Sequence, residues 1–167
     1  MSTRRSVNSA VRPQYDRRYS ETRIVNTKRI LMGGLLAAVI IAVAQMLLYA
    51  GLLADAMAAA QAEKGVREAS WGNALYLVTT ILPGLLIAWT YAAIRPRFGP
   101  GPVTALRAGG LIWLATWLMY YIWLAPSGRG LLFLKPGHTA LALLWDLAGV
   151  LLAALAAGWV YRERSNE

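Results

Sequence analysis

The chain has 167 residues, 57% hydrophobic and 15% charged, with no cysteine and a formal charge of +9. A charged fraction this low, with apolar residues gathered in long blocks, argues against a soluble domain and excludes a chain disordered throughout. The lack of cysteine excludes a disulfide scaffold, thiol redox chemistry and a cysteine-ligated metal.

Residues 1–29 are polar and carry Arg4, Arg5, Arg12, Arg17, Arg18, Arg23, Lys28 and Arg29, with no periodic apolar face. This segment reads as a basic tail, disordered alone. Its charge suits a topology signal and contact with anionic lipid headgroups or a partner. No groove-reading motif accompanies it, so nucleic acid is not an expected partner. A spanning helix takes about 20 mostly apolar residues. Within 30–161, four stretches reach that length: about 30–54, 73–94, 103–125 and 139–161. Asn26 or Thr27 suits the cap of the first helix and Ser70 or Asn73 that of the second. Pro102 suits the first turn of the third, and Thr139 the cap of the fourth.

After the first stretch, an Ala-rich segment from Asp55 prolongs the helix until Gly65 breaks it. Ala54-Asp-Ala56 has the small-residue spacing of a signal-peptide cleavage site. The basic and apolar stretches before it are too long for an ordinary signal peptide, so the first span is expected to stay. The run Arg95-Pro-Arg-Phe-Gly-Pro-Gly-Pro102 reads as a short stiff turn that makes the second and third spans antiparallel neighbours. Residues 162–167 return to the side of the tail. Of the 17 Lys and Arg, thirteen fall on that side. The positive-inside rule then puts both termini in the cytoplasm. The expected fold is all-α: a four-helix up-down transmembrane bundle.

An ionisable side chain inside a span is costly unless neutralised or paired, which makes Asp146 the first functional candidate. On a helical wheel it shares a face with Gly149, Ala153 and Ala157. Such a small-residue stripe admits a close neighbour, so Asp146 is expected to face the bundle and to be neutralised or strongly hydrogen-bonded. Gln45 shares a face with Gly34 and Ala38 in the first span. Packing of these two faces would bring Gln45 within hydrogen-bonding reach of Asp146. Thr79 and Thr80 in the second span, near the helix-disturbing Pro83, lie at similar height. Thr116 in the third span, on a face with Gly109, does the same. The four spans are thus expected to send polar groups into one layer. That layer could fix helix register, hold a ligand, or carry protons with Asp146 as the acid.

Most of the seven Trp and eight Tyr fit interfacial belts, with Trp71, Tyr76, Tyr121 and Trp123 near the outer interface. Trp89, Tyr91, Trp159 and Tyr161 fall near the inner one. Trp113, Trp117 and Tyr120 form a mid-span aromatic face that suits helix packing or a flat ring. Arg95, Arg97 and Arg107 suit a topology determinant or a headgroup or anion contact. Arg107 lies just inside its span, from which its side chain can reach back to the headgroups. His138 stands alone and suits a cap or a solvent-facing position. No catalytic motif and no metal set is present, and no cofactor is expected.

The segment from Trp89 through Arg95, Arg97 and Pro102, followed by Ala105, Gly109 and Trp113, resembles small uncharacterised bacterial four-span membrane proteins. That resemblance implies four spans in a bacterial inner membrane and brings no activity with it. Thiol-oxidising four-helix membrane enzymes do not fit a chain without cysteine. The expected role is non-enzymatic: a structural or accessory membrane protein in a homo-oligomer or larger complex. The alternatives are a small proton-coupled transporter or ligand binder using Asp146 and Gln45, and a non-catalytic subunit of a cofactor-containing membrane enzyme.

Overall fold

A computed structural model describes residues 26–65, 72–124 and 136–161, which lie within one compact unit, Asn26–Arg162. Residues 1–25 of the basic tail, the Ser70 cap, Trp71 and the C-terminal residues 162–167 fall outside the described residues, whereas residues 27–29, expected in the tail, are part of the first helix.

The described residues are helical and contain no strand. Helix α1, Thr27–Met46, continues through a π-helical turn at Leu47–Leu52. Helix α2 is Ala54–Lys64, α3 is Gly72–Phe98 and α4 is Pro102–Trp113. A second π-helical turn, Leu114–Leu118, joins α4 to α5, Met119–Leu124. Helix α6 is Pro136–Val160. Among the described residues, three segments are long and apolar enough to cross a membrane: Thr27–Leu52, Tyr76–Phe98 and Gly137–Val160. The stretch expected as the third span is helical from Pro102 to Leu124, but the π turn divides it.

Local chemistry explains most boundaries. The Asn26 side chain accepts from the Arg29 amide at 3.2 Å and caps α1. α2 ends at Gly65, where φ is 63°. Pro102 opens α4, where the missing N–H costs nothing. Two expectations shift. Helix α3 runs through Pro96 to Phe98, so only Gly99–Gly101 makes the turn. Its glycines take φ of 80° and 139°, which side chains with a Cβ resist. Helix α6 begins at Pro136, three residues before Thr139, so Thr139 sits in the first turn and is not the cap. Asn73 likewise lies inside α3.

Helix α1 packs chiefly on α3 and α6, and α4 packs on α6 and α3. Small residues make this possible. A β-carbon built on Gly84 would lie 2.5 Å from the Gly34 oxygen and 2.6 Å from the Ala38 nitrogen. A β-carbon on Gly33 would stand 3.1 Å from the Ala157 oxygen, and one on Gly109 would stand 2.6 Å from the Ala154 Cβ. The helix backbones therefore meet closely, as small-residue faces allow. The expected pairing of the Gly34–Ala38 face with the last helix is corrected here: that face meets α3. Helix α6 is met instead by Gly33 and, opposite Gly149, by Ala44.

Two apolar cores result among the described residues. The larger gathers buried Ala37, Ile41, Ile87, Ala108, Val150, Ala153, Ala154 and Ala157. The smaller gathers Leu48, Leu53, Tyr121 and Ala142. Outside them, large apolar side chains such as Leu35, Val39, Val78, Leu144 and Trp159 stand exposed along the helices. Exposed apolar side chains in such number are what acyl chains, not water, accommodate.

Candidate functional site

Asp146 lies on α6 ten residues after Pro136, about 15 Å along the axis. It is only 3% exposed. The Tyr121 hydroxyl donates to its Oδ2 at 3.2 Å, and the Tyr121 and Tyr49 oxygens stand 3.3 Å apart. With the Tyr121 proton directed at the carboxyl group, the Tyr49 hydroxyl is the donor in the second bond. One polar chain thus runs from the π turn after α1, through α5, to α6. Both distances exceed the roughly 2.7–2.8 Å usual for O–H···O, so each bond is modest and the pair acts together. Leu48, Leu53 and Ala142 wall the cluster, with Met57 and Trp117 packed against them.

The π turns put these tyrosines where they are. In an unbroken α-helix the residue seven positions after Trp113 is Tyr120, and it would share the inner face with Trp117. The turn at Leu114–Leu118 inserts one residue into that register. Tyr121 then faces inward at 6% exposure, while Tyr120 is 49% exposed. The Thr116 hydroxyl donates to the Ile112 carbonyl at 2.6 Å and satisfies it beside the turn. In α1 the Leu53 amide bonds Leu48 five residues back, at 2.8 Å, and both side chains are buried.

The expected polar layer is smaller than the sequence reading had it. Among the described residues no hydrogen bond joins half-buried Gln45 to Asp146. Thr80 is buried, yet its hydroxyl donates within its own helix, to the Tyr76 and Leu77 carbonyls at 3.2 and 3.0 Å. Thr79 is exposed and donates to the Tyr76 carbonyl at 2.8 Å. Thr116 likewise serves its own helix. A hydroxyl in an apolar helix satisfies itself on the preceding turn when no partner reaches it. Asp146 is the residue of the expected layer that binds across helices, and Tyr49 and Tyr121 are its partners. Residue spacing alone places Tyr121 in the outer aromatic belt. Its place next to the carboxylate depends on an irregular turn that residue spacing does not reveal.

The other aromatic residues divide. Trp113 and Trp117 are half-buried against the larger core, and the Trp113 Nε1 is enclosed without a hydrogen-bond partner. Trp145 donates from Nε1 to the Ala44 carbonyl at 2.8 Å, which ties α6 to α1. Tyr76 does the same from α3, donating to the Ala42 carbonyl at 3.0 Å. Beside Trp145 an open apolar groove of about 460 Å³ runs between α1 and α6, lined by Val39, Val43, Ala44, Gly149 and Leu152.

At the far end of α1 the cations gather. Arg29 donates to the Val160 carbonyl at 3.4 Å, so the start of α1 meets the end of α6. The Arg95 guanidinium lies 5.5 Å from the Tyr161 ring centre. Tyr161 and Tyr91 pack edge to face at 5.9 Å, both buried, unlike Trp89 and Trp159, which stay exposed. Arg107 and Arg97 approach the Phe98 ring at 4.8 and 6.0 Å.

No protein-family model matches the chain, and neither the curated proteins nor the solved structures compared with it give a match.

Proposed function

We propose that this chain is a four-span integral membrane protein of structural or accessory type, with the Asp146–Tyr121–Tyr49 chain as the polar lock that sets helix register. The observation that carries the reading is the burial of Asp146 at 3% exposure with its hydrogen bond spent on another helix. A membrane protein gains no hydrophobic drive from packing helix on helix, so polar contacts and close packing decide how its spans fit. Pro102–Leu124 is the remaining span in this reading, its Arg107 reaching to the headgroup level. The ends of α1, α3 and α4 that carry Arg29, Arg95, Arg97 and Arg107, and the end of α6 that meets Arg29, are then cytoplasmic, as the positive-inside rule requires. The setting proposed is a bacterial inner membrane, the working form a homo-oligomer or a larger membrane complex.

One feature favours a second reading. The hydrogen-bonded chain leads from a buried acid to Tyr49, which is only half-buried, and such a chain suits proton exchange with the surface. A single experiment separates the two. Full-length protein is purified in gentle detergent, its partners are identified by mass spectrometry, and proton flux is followed after reconstitution into vesicles. The structural reading expects an assembly weakened by Asp146→Ala and no proton-linked flux. Flux abolished by Asp146→Asn in a bundle that still assembles would replace it with the transporter reading.

A further inference from the structure

The geometry points to a phosphodiester-binding site for an anionic phospholipid, formed by Arg97 and Arg107 around Phe98, with an acyl chain along Leu111 and Leu114. Three observations carry it. First, both guanidinium groups lie within 6.0 Å of the centre of one half-exposed aromatic ring. The ring holds two planar donor forks at one place, and a guanidinium fork matches the oxygens of a phosphodiester. Second, Arg97 and Arg107 share this end with the cations Lys28 and Arg29, whereas the described carboxylates lie elsewhere: Asp146 is buried within α6, and Asp55 and Glu63 are on α2, which follows the opposite end of α1.

Third, Arg107 interrupts an apolar stripe. Val103, Leu111 and Leu114 occupy its face of the helix at steps of four and seven residues and are 60%, 55% and 48% exposed. A cation with exposed apolar side chains on the membrane-ward side matches a molecule with an anionic head and a hydrocarbon tail. A free phosphate ion would use the two arginines and leave the stripe idle. The turn at Gly99–Gly101 keeps the partners in place, because the Thr104 hydroxyl donates to the Gly99 carbonyl at 2.8 Å and the Gly101 amide donates to the Tyr91 hydroxyl at 3.3 Å.

The site rests on the four-span reading, so retention of the chain in membranes after alkaline carbonate washing is checked first and separately. The test is native mass spectrometry of the full chain in mixed micelles of phosphatidylglycerol and phosphatidylcholine with identical acyl chains. Wild type is expected to retain phosphatidylglycerol preferentially. The pair Arg97→Gln/Arg107→Gln is expected to lose that preference about twenty-five-fold, on the order of fivefold per cation near a membrane surface. The pair Arg4→Gln/Arg5→Gln removes the same charge from the tail and is expected to leave the preference intact. Equal losses from the two pairs would overturn the site in favour of bulk charge. Arg107→Gln alone, at an exposed position, is expected to cost about fivefold and keeps the proposal testable if the pair does not fold; no change would sink it. Displacement of phosphatidylglycerol by 1 mM inorganic phosphate, used as a bare anion probe at about that concentration, would overturn the lipid as occupant. Its failure to displace is the expected result.

Discussion

The two cores are built on opposite principles. Around Gly34, Gly84, Ala38 and Ala154, helices approach until backbone nearly meets backbone, and small residues make the contact. Around Asp146, the large side chains of Tyr49, Tyr121 and Trp117 pack together, and side-chain hydrogen bonds join the helices. The first region is regular α-helix. The second is fed by both π turns. Close packing needs an undisturbed small-residue repeat, whereas a polar cluster needs side chains aimed at one point, and a one-residue shift in register supplies that aim. Rigidity in the first region comes from shape, and in the second from a short list of replaceable bonds.

Substitutions can break this contrast. The largest effect is expected from Gly84→Ala, whose methyl group would meet the Gly34 oxygen and Ala38 nitrogen. Backbone cannot step aside as a side chain can, so the loss should reach or exceed about 3 kcal/mol, the upper end for overpacking. The midpoint of SDS-induced unfolding measures it. Wild-type stability in this variant would show that the α1–α3 contact is looser than described.

Next is Asp146→Ala, which leaves the buried Tyr121 hydroxyl without its acceptor and opens a void. About 1–3 kcal/mol should be lost by the same measurement. Asp146→Asn, which retains an oxygen acceptor, should lose clearly less. Equal losses would mean that the charge, not the bond, matters to this core.

Tyr121→Phe removes the shared hydroxyl and keeps the ring. Hydrogen bonds between membrane helices contribute about 0.6 kcal/mol on average and about 1.7 at most, and the loss should fall in that range. Combining it with Tyr49→Phe should add little, since the chain is already cut. The smallest effect is expected from Gly110→Ala, where a built β-carbon meets nothing within 4 Å. This change should be neutral or stabilise by up to about 1 kcal/mol through helix propensity. A large loss there would blur the distinction between the packed glycines and the idle one.

The legible part of the fold was the part governed by composition and short-range chemistry. Apolar blocks of the required length, the Asn26 cap, the Pro102 start and the Gly65 stop are local, and α1, α2 and α4 begin or end accordingly. The burial of Asp146 was legible too, because a carboxylate in an apolar run with small neighbours has nowhere else to go. Gln45 failed as its partner for a reason that lies outside any single span: which face of α1 meets which neighbour depends on how Gly34 fits Gly84, a match between two helices. Thr79, Thr80 and Thr116 failed because a hydroxyl can be satisfied on its own helix.

What the amino-acid order determined by itself was a helical chain with membrane-length apolar segments, cations massed toward one end and a single acid within the last segment. These follow from transfer free energies and backbone sterics, which act residue by residue. The tertiary structure decided that Tyr121 and not Tyr120 turns inward, that Tyr49 completes the chain, and that the Gly34 face belongs to α3. Such choices depend on packing several helices at once, where a π turn disfavoured in isolation is repaid by the side chains it brings together.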